Sequence, residues 1–268
     1  MILKIPDDTL EKESIHILNE ELTIKIGKRS SAVVIVEGSP VSQVFVGEGS
    51  SLELVYVEGL KSKLGNKSEN HFFLEAASRL TVHSVVVGGN LNDSHTVVEL
   101  KGNNAFFSIK GLAVLSEKEQ STASVEAHHR APGCTSRQHY KNILSGSSKA
   151  TFNSMVHVYS GANQTDSKQL NQNLLLSDEA RAYSKPELKI NADDVSCNHG
   201  ATVGSFSEHE LFYLRSRGFS KTDAAKVLSV GFVKEITETV KPIFLKNRLN
   251  ELIDENLNYM LENGVRTC

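Results

Sequence analysis

Ala32-Val-Val-Ile-Val36, Val41-Ser-Gln-Val-Phe-Val46 and Leu52-Glu-Leu-Val-Tyr-Val57 follow one another with only Glu37-Gly-Ser-Pro40 and Gly47-Glu-Gly-Ser-Ser51 between them. Each run is short, rich in β-branched residues and bounded by turn formers, which is the signature of a strand. The same signature recurs at Leu22–Ile26, Leu80–Val87, Thr96–Leu100, Ala105–Ile109, Thr151–Val158 and Leu188–Ile190, with breaks such as Gly88-Gly-Asn90 and Lys101-Gly-Asn-Asn104. No amphipathic helix of ten or more residues interrupts the stretch from about Ile15 to Val203, so folds that alternate strands with helices are excluded. A sandwich, a barrel or a β-solenoid is left. Val33, Val44 and Val55 recur at eleven-residue spacing, close to one side plus one corner of a solenoid coil, before the period blurs. That pattern favours a β-helix over a jelly-roll sandwich.

The periodicity changes after Gly204. Ser207-Glu-His-Glu210 has the form of a capping box, which predicts a helix from there to about Arg217 with Gly218 as its left-handed cap. Ser220-Lys-Thr-Asp223 opens a second helix that places Ala224, Val227, Leu228 and Phe232 on one face. Beyond Pro242, the residues Leu245, Leu249, Leu252, Ile253, Leu257, Met260 and Leu261 keep helical spacing until Gly264. The predicted organisation is a mainly β core over residues 1–204 and a small helical subdomain over 205–268.

Composition narrows the function. The 268 residues include 29 Lys and Arg against 32 Asp and Glu, a net charge of −3 that favours neither nucleic acid nor an anionic membrane as partner. The longest apolar run is the five residues Ala32–Val36, far short of the roughly 20 a spanning helix needs. The N-terminus lacks the apolar stretch of a secretory signal, so the mature chain is expected to start at Met1. Three widely spaced cysteines, Cys134, Cys197 and Cys268, fit a reducing compartment, and the cytoplasm is the expectation. Glycine-rich phosphate loops, Gly-x-Ser-x-Gly and Cys-x-x-Cys are all missing from the sequence.

Three groups of residues could carry chemistry. In Cys197-Asn-His199 the two side chains share one strand face about 7 Å apart, which suits a common metal or cluster. Two ligands do not close a tetrahedral site, and no other cysteine lies within 60 residues, so the site is complete only if shared across a subunit interface. The plain alternative is a buried Cys acting as a small hydrophobe beside a hydrogen-bonded His, with His199 bracing a chain reversal at Gly200. His128-His129, with Cys134, reads as an exposed His pair before the Pro132-Gly133 turn. Asp193-Asp194 would be the acid and base of a polysaccharide-cleaving β-helix, but consecutive strand residues diverge, so turn capping is the simpler reading.

Five blocks in unbroken order carry a resemblance: Ala131-Pro-Gly-Cys-Thr-Ser-Arg-Gln-His-Tyr-Lys141, Ala162-Asn-Gln-Thr-Asp166, Asn171-Gln-Asn-Leu-Leu-Leu-Ser-Asp178, Lys185 to Gly204, and Leu211-Phe-Tyr-Leu-Arg-Ser-Arg-Gly218. Together they resemble the core of the SufB/SufD family of the SUF iron–sulfur cluster assembly system. The resemblance implies a right-handed parallel β-helix with a C-terminal helical subdomain. SufB-type members carry a Cys in the block around Asp178 to Ala182, where this sequence has Ala180, and a Glu where it has Gly200. Both departures look like SufD, as does Cys197-Asn-His199-Gly-Ala-Thr. Family members usually have a helical domain before the β-helix, whereas about 14 residues precede the first strand-like run here.

The resemblance also implies a role: a non-enzymatic scaffold that pairs with a SufB-type chain or with itself, and that binds a SufC-type ABC ATPase through its helices. The implied ATPase-binding residues are Leu211, Phe212, Tyr213, Leu214, Arg215, Val227, Leu228 and Phe232. His199, with Cys197 as a weaker second, is the implied contribution to an interfacial cluster. No cofactor is expected to stay on the isolated chain, the iron–sulfur cluster being transient in the complex. A carbohydrate-active β-helix using Asp193 and Asp194, and a structural solenoid without a cluster role, are the competing readings.

Overall fold

Side chains at alternate positions are buried and exposed along strand after strand, so each strand offers one face to an interior and one to the outside. The computed structural model describes residues 1–18, 21–38, 41–58 and 66–264. Among the described residues, sixteen strands fall into two parallel sheets of eight, visited in turn. The first sheet holds β1 (Ile2–Ile5), β3 (Leu22–Ile26), β5 (Val41–Val46), β7 (Asn66–Leu74), β9 (Leu91–Leu100), β11 (Gln120–His129), β13 (Lys149–Val158) and β15 (Arg181–Ile190). The second holds β2 (Leu10–Leu18), β4 (Ser31–Glu37), β6 (Ser51–Glu58), β8 (Arg79–Val87), β10 (Phe106–Leu115), β12 (Thr135–Leu144), β14 (Thr165–Leu175) and β16 (Val195–Gly204). Each strand therefore pairs with the strand two further along the chain, and the coils stack as a β-solenoid.

The period blurs because the coils lengthen. Ser31 stacks on Ser51, twenty residues on, but Thr135 stacks on Asp166, thirty-one residues on. The eleven-residue valine spacing is not the coil period: Val55 stacks on Ile35, and Val33 stacks on Glu53. Strands also begin earlier than expected, at Ile2. Seven strands lie outside the apolar runs: β1, β2, β7, β11, β12, β14 and β16. Several of them fill inward positions with Ser, Asn or Gln, which removes the hydrophobic signal without removing the pairing. The run from Lys185 toward Asp194 leaves its strand at Ile190, and a short turn leads into β16.

Three helices follow, α1 (Glu208–Ser216), α2 (Lys221–Thr237) and α3 (Ile243–Gly264). Ser220 caps α2 by accepting a hydrogen bond from the Asp223 amide at 3.0 Å. Ser207 makes no side-chain cap on α1, so the expected capping box does not form; the amide of Leu211 reaches the Ser207 carbonyl instead. Gly218 adopts φ +93°, a conformation open to glycine, and ends the α1 turn as expected. The second and third helices lie on the outer face of the second sheet. There Ile35, Val55, Val85, Leu112 and Ile143 share one apolar cluster with Val233, Ile236, Leu249 and Leu257. The buried face of α2 runs through Ala225, Ser229, Val233 and Ile236. Of the face read from sequence only Ala224 is buried; Val227 is exposed, and Leu228 and Phe232 are half-covered. Lys141 pins this layer from below, its Nζ 3.1 Å from the Phe232 carbonyl and ion-paired with Glu235.

Inside the solenoid, residues stack in columns. One runs Val34, Leu54, Val82, Ile109 and then Gln138, Gln169 and His199. Its neighbour runs Ala32, Leu52, Leu80, Phe107 and then Ser136, Ser167 and Cys197. Both turn from apolar to polar between β10 and β12. In the next column, a Cβ on Gly111 would stand 2.0 Å from the Tyr140 ring, so only glycine leaves room for that ring over Phe152.

Candidate functional site

β15 and β16 end their sheets, and among the described residues no strand lies beyond them. Their outer backbone edges are unpaired, and side chains that would be interior in any earlier coil face an open end. Cys197 and His199 occupy this place on β16, in register with Ser167 and Gln169 of β14. They share one strand face, as alternation requires. Cys197 is half-buried against the core, and burial pushes its thiol pKa up. His199 is exposed and makes no hydrogen bond, ion pair or ring contact among the described residues. The expected bracing of a chain reversal at Gly200 does not occur, because Gly200 lies within the straight run of β16.

Beneath this end lies a polar interior. Gln169 Nε2 donates to Ser154 Oγ, which donates to Gln138 Oε1 at 2.7 Å. Beside it, Asn173 Nδ2 donates to Asn171 Oδ1 at 2.7 Å and to the Thr202 carbonyl at 2.9 Å. A third chain joins His129 Nε2 to Ser136 Oγ at 2.8 Å, and Ser136 Oγ to Ser167 Oγ at 2.9 Å. Buried Gln138 Nε2, Gln169 Oε1 and His129 Nδ1 are left without partners.

His129 corrects the expectation of an exposed His pair. It faces inward from β11 and is fully buried, while its neighbour His128 faces out toward Glu126 and the Tyr159 hydroxyl. Burial lowers the His129 pKa to about 4, so the ring is neutral at physiological pH. His129 Nε2 shares its hydrogen bond with Ser136 Oγ, and Nδ1 has no partner. Cys134, also buried, donates to the Gly102 carbonyl at 3.3 Å, and burial raises its thiol pKa. The two groups do not form one site, and Cys268 lies outside the described residues.

Asp193 and Asp194 sit exposed in the turn between β15 and β16, and neither carboxylate makes a hydrogen bond or ion pair among the described residues. They cap nothing through their side chains; the turn instead uses the Asp194 carbonyl, which accepts from the Gln164 amide at 2.6 Å. Among the described residues no three His, Cys, Asp or Glu side chains are grouped to hold a metal ion. No helix among them is long and apolar enough to cross a membrane.

Comparison with known proteins supplies the family. The SufBD core domain, described as SUF system FeS cluster assembly, matches residues 9–232. The chain belongs to the SufBD core family. It is 33% identical to the iron–sulfur cluster assembly protein SufD of Escherichia coli, over 75% of this chain and 49% of that protein. A SufBD family protein of Synechocystis is 31% identical over 80% of this chain and 47% of its own length. One from Mycobacterium leprae is 28% identical over 88% and 64%. The chain spans about half the length of the first two relatives.

Ala180, which the resemblance set against a Cys of SufB-type members, is wholly buried in a small apolar cluster. The implied ATPase-binding residues lie near the same end of the molecule as β16. On α1, Phe212 and Tyr213 are 71% and 57% exposed, Arg215 is exposed, and Leu211 and Leu214 are half-covered. A cavity of about 500 Å³ opens between the end of β16 and the helices, lined by Val203, Phe206, Glu210, Val227, Leu228 and Phe232. Sequence reasoning missed the polar layers under His199. Their signal is Ser, Gln and Asn at the alternate positions of β12 and β14, in the blocks Ser136-Arg-Gln138 and Ser167-Lys-Gln-Leu-Asn171.

Proposed function

We propose that this chain is a SufD-like, non-catalytic scaffold subunit of an iron–sulfur cluster assembly complex. It pairs through the open end of its solenoid with a SufB-type chain, or with a second copy of itself, and takes up an ABC-type ATPase on its helices. The observation that carries this reading is the uncapped last coil, where unpaired strand edges frame Cys197 and an unengaged His199. An uncapped edge is a template for another chain, and a two-ligand half-site becomes useful once a partner supplies the rest. The cluster is cargo, bound only in the complex. Exposed Phe212, Tyr213 and Val227, beside the cavity above α2, support the helices as the ATPase-binding surface. The cytoplasm is the proposed compartment, on the unpaired thiols of Cys134 and Cys197.

Co-purification from the native host is the first test. Recovery of SufB-like and SufC-like proteins is expected, and recovery of the chain without either overturns the reading. On the reconstituted complex, His199→Ala should lower iron per complex while leaving assembly and melting temperature unchanged. A fall in melting temperature with iron retained in proportion to folded protein would make His199 structural. Replacing the exposed Phe212 and Tyr213 of α1 together by Ala should abolish ATPase binding while the β circular dichroism persists. Sedimentation of the chain alone should give a dimer; a monomer, alone and with partner, counts against pairing through the open end.

A further inference from the structure

We propose that Gln169 is the positioning residue for His199: its side-chain carbonyl accepts one imidazole N–H and leaves the other ring nitrogen directed out of the open end. This rests on the reading of His199 as a ligand at the subunit interface. The two residues are register partners on adjacent strands of the same sheet, and both face inward. Gln169 is 2% exposed, and its Oε1 is buried without a hydrogen-bond donor. Such an orphan acceptor in a polar interior needs an explanation.

The orientation of the amide is set by its other end. Gln169 Nε2 donates to Ser154 Oγ and toward the Glu187 carbonyl at 3.5 Å. Turning the amide over would set Oε1 against the Glu187 carbonyl, two acceptors face to face. It would also face Ser154, whose single proton is already given to Gln138 Oε1. The free Oε1 therefore belongs to the next layer, and His199 is the residue that register puts there. Its ring is exposed and uncommitted, so rotation about its side-chain bonds can bring an N–H to this oxygen.

The chemical consequence follows from how imidazole binds metals. A ligating His gives its other N–H to an acceptor, which fixes the tautomer and makes the coordinating nitrogen more basic. Without that acceptor an exposed ring populates both tautomers and many rotamers, and ordering it on binding is unfavourable.

The test is the His199 tautomer, read from long-range ¹⁵N–¹H spectra of the isolated, ¹⁵N-His-labelled chain at alkaline pH, where an imidazole is neutral. One tautomer should dominate by about tenfold, which corresponds to about 1.4 kcal/mol. Gln169→Met keeps the shape and removes the acceptor, and should collapse that preference. Gln169→Glu keeps an acceptor and should restore it. If Gln169→Met does not fold, Gln169→Asn withdraws the carbonyl and asks the same question. An unchanged tautomer ratio in a folded acceptor-less variant, or failure of Gln169→Glu to restore the ratio, overturns the proposal. On the reconstituted complex, Gln169→Met should weaken iron retention by roughly 10- to 100-fold. If the tautomer shifts but His199→Ala leaves iron unchanged, Gln169 positions His199 and the ligand reading is what fails.

Discussion

The early coils and the late coils of the solenoid share a backbone and differ in what fills it. From β4 to β10, the two columns that lead to Cys197 and His199 hold Ala32, Val34, Leu52, Leu54, Leu80, Val82, Phe107 and Ile109. From β12 onward the same positions hold Ser136, Gln138, Ser167 and Gln169 before they reach Cys197 and His199. The early half is held by burial of apolar area, which is non-directional and tolerant of residue choice. The late coils keep apolar filling on the facing sheet, at Val125, Ala127, Phe152 and Val156, and add in these two columns oriented hydrogen bonds, whose net contribution is small when satisfied and whose loss is costly when one partner is removed. A solenoid that only had to be stable could have continued its apolar filling to the end. The change of filling coincides with the approach to the open face, where an ordered polar interior can orient side chains that an oily one would leave free.

Substitutions in the two halves test that contrast. The largest effect is expected at Phe107, the last large apolar residue of its column: Phe107→Ala should destabilise by about 3–5 kcal/mol in denaturant unfolding. A loss near 1 kcal/mol would mean that the early half is not a packed core.

Next comes the pH dependence of His129. Its pKa falls from 6.5 to about 4 because the charged ring is disfavoured by burial, so the fold binds fewer protons than the unfolded chain between those values. Stability is therefore complete above about pH 6.5 and declines as pH falls toward 4, by about 3 kcal/mol in total. His129→Gln should flatten that part of the stability–pH curve, as chemical unfolding at several pH values would show.

A similar but smaller effect is expected where the helices meet the early coils. Burial disfavours ionised Glu53, but His83 3.5 Å away, the hydrogen bond from the Lys241 amide and the Lys241 ammonium ion-paired with it outweigh that and hold the carboxyl pKa below its usual value. This contribution is present above about pH 4.5 and is lost as pH falls below it. Glu53→Gln should cost about 1–3 kcal/mol at neutral pH and loosen α3 before the strands, visible as faster amide exchange in the helix.

Ser136→Ala leaves the buried His129 Nε2 without its hydrogen-bond partner and should cost about 1–2 kcal/mol, while Val34→Ala in an early coil acts by cavity formation instead. The smallest effect is expected from Cys134→Ser, which touches neither the open end nor the polar chains and should leave iron per complex unchanged. Loss of iron there would extend the functional region well below the last coil.

Much of the architecture was legible. Strand runs such as Ala32–Val36 announce themselves because their outward and inward positions are both apolar, and the helical tail does so through the spacing of Leu245, Leu249, Ile253 and Leu257. β12 and β14 were not legible, because a strand whose inward face carries Ser, Gln and Asn has the composition of a loop. The pairing of Cys197 with His199 on one face followed from alternation alone. The burial of His129 did not, since its outward neighbour His128 is chemically the same residue and only the register of β11 distinguishes them.

Residue order alone carries the class of fold, the place where strands give way to helices, the family, and the residues that bear sulfur and imidazole. These are properties of local pattern and of residue identity, which need no knowledge of distant neighbours. The tertiary structure alone decided which strand is last, which side chains that exposes, and that Gln169 lies beneath His199. Coil lengths vary from nineteen to thirty-two residues, so contacts between coils cannot be counted off a fixed period. They are set by backbone hydrogen bonds between strands far apart in the chain, and those form only when the whole solenoid does.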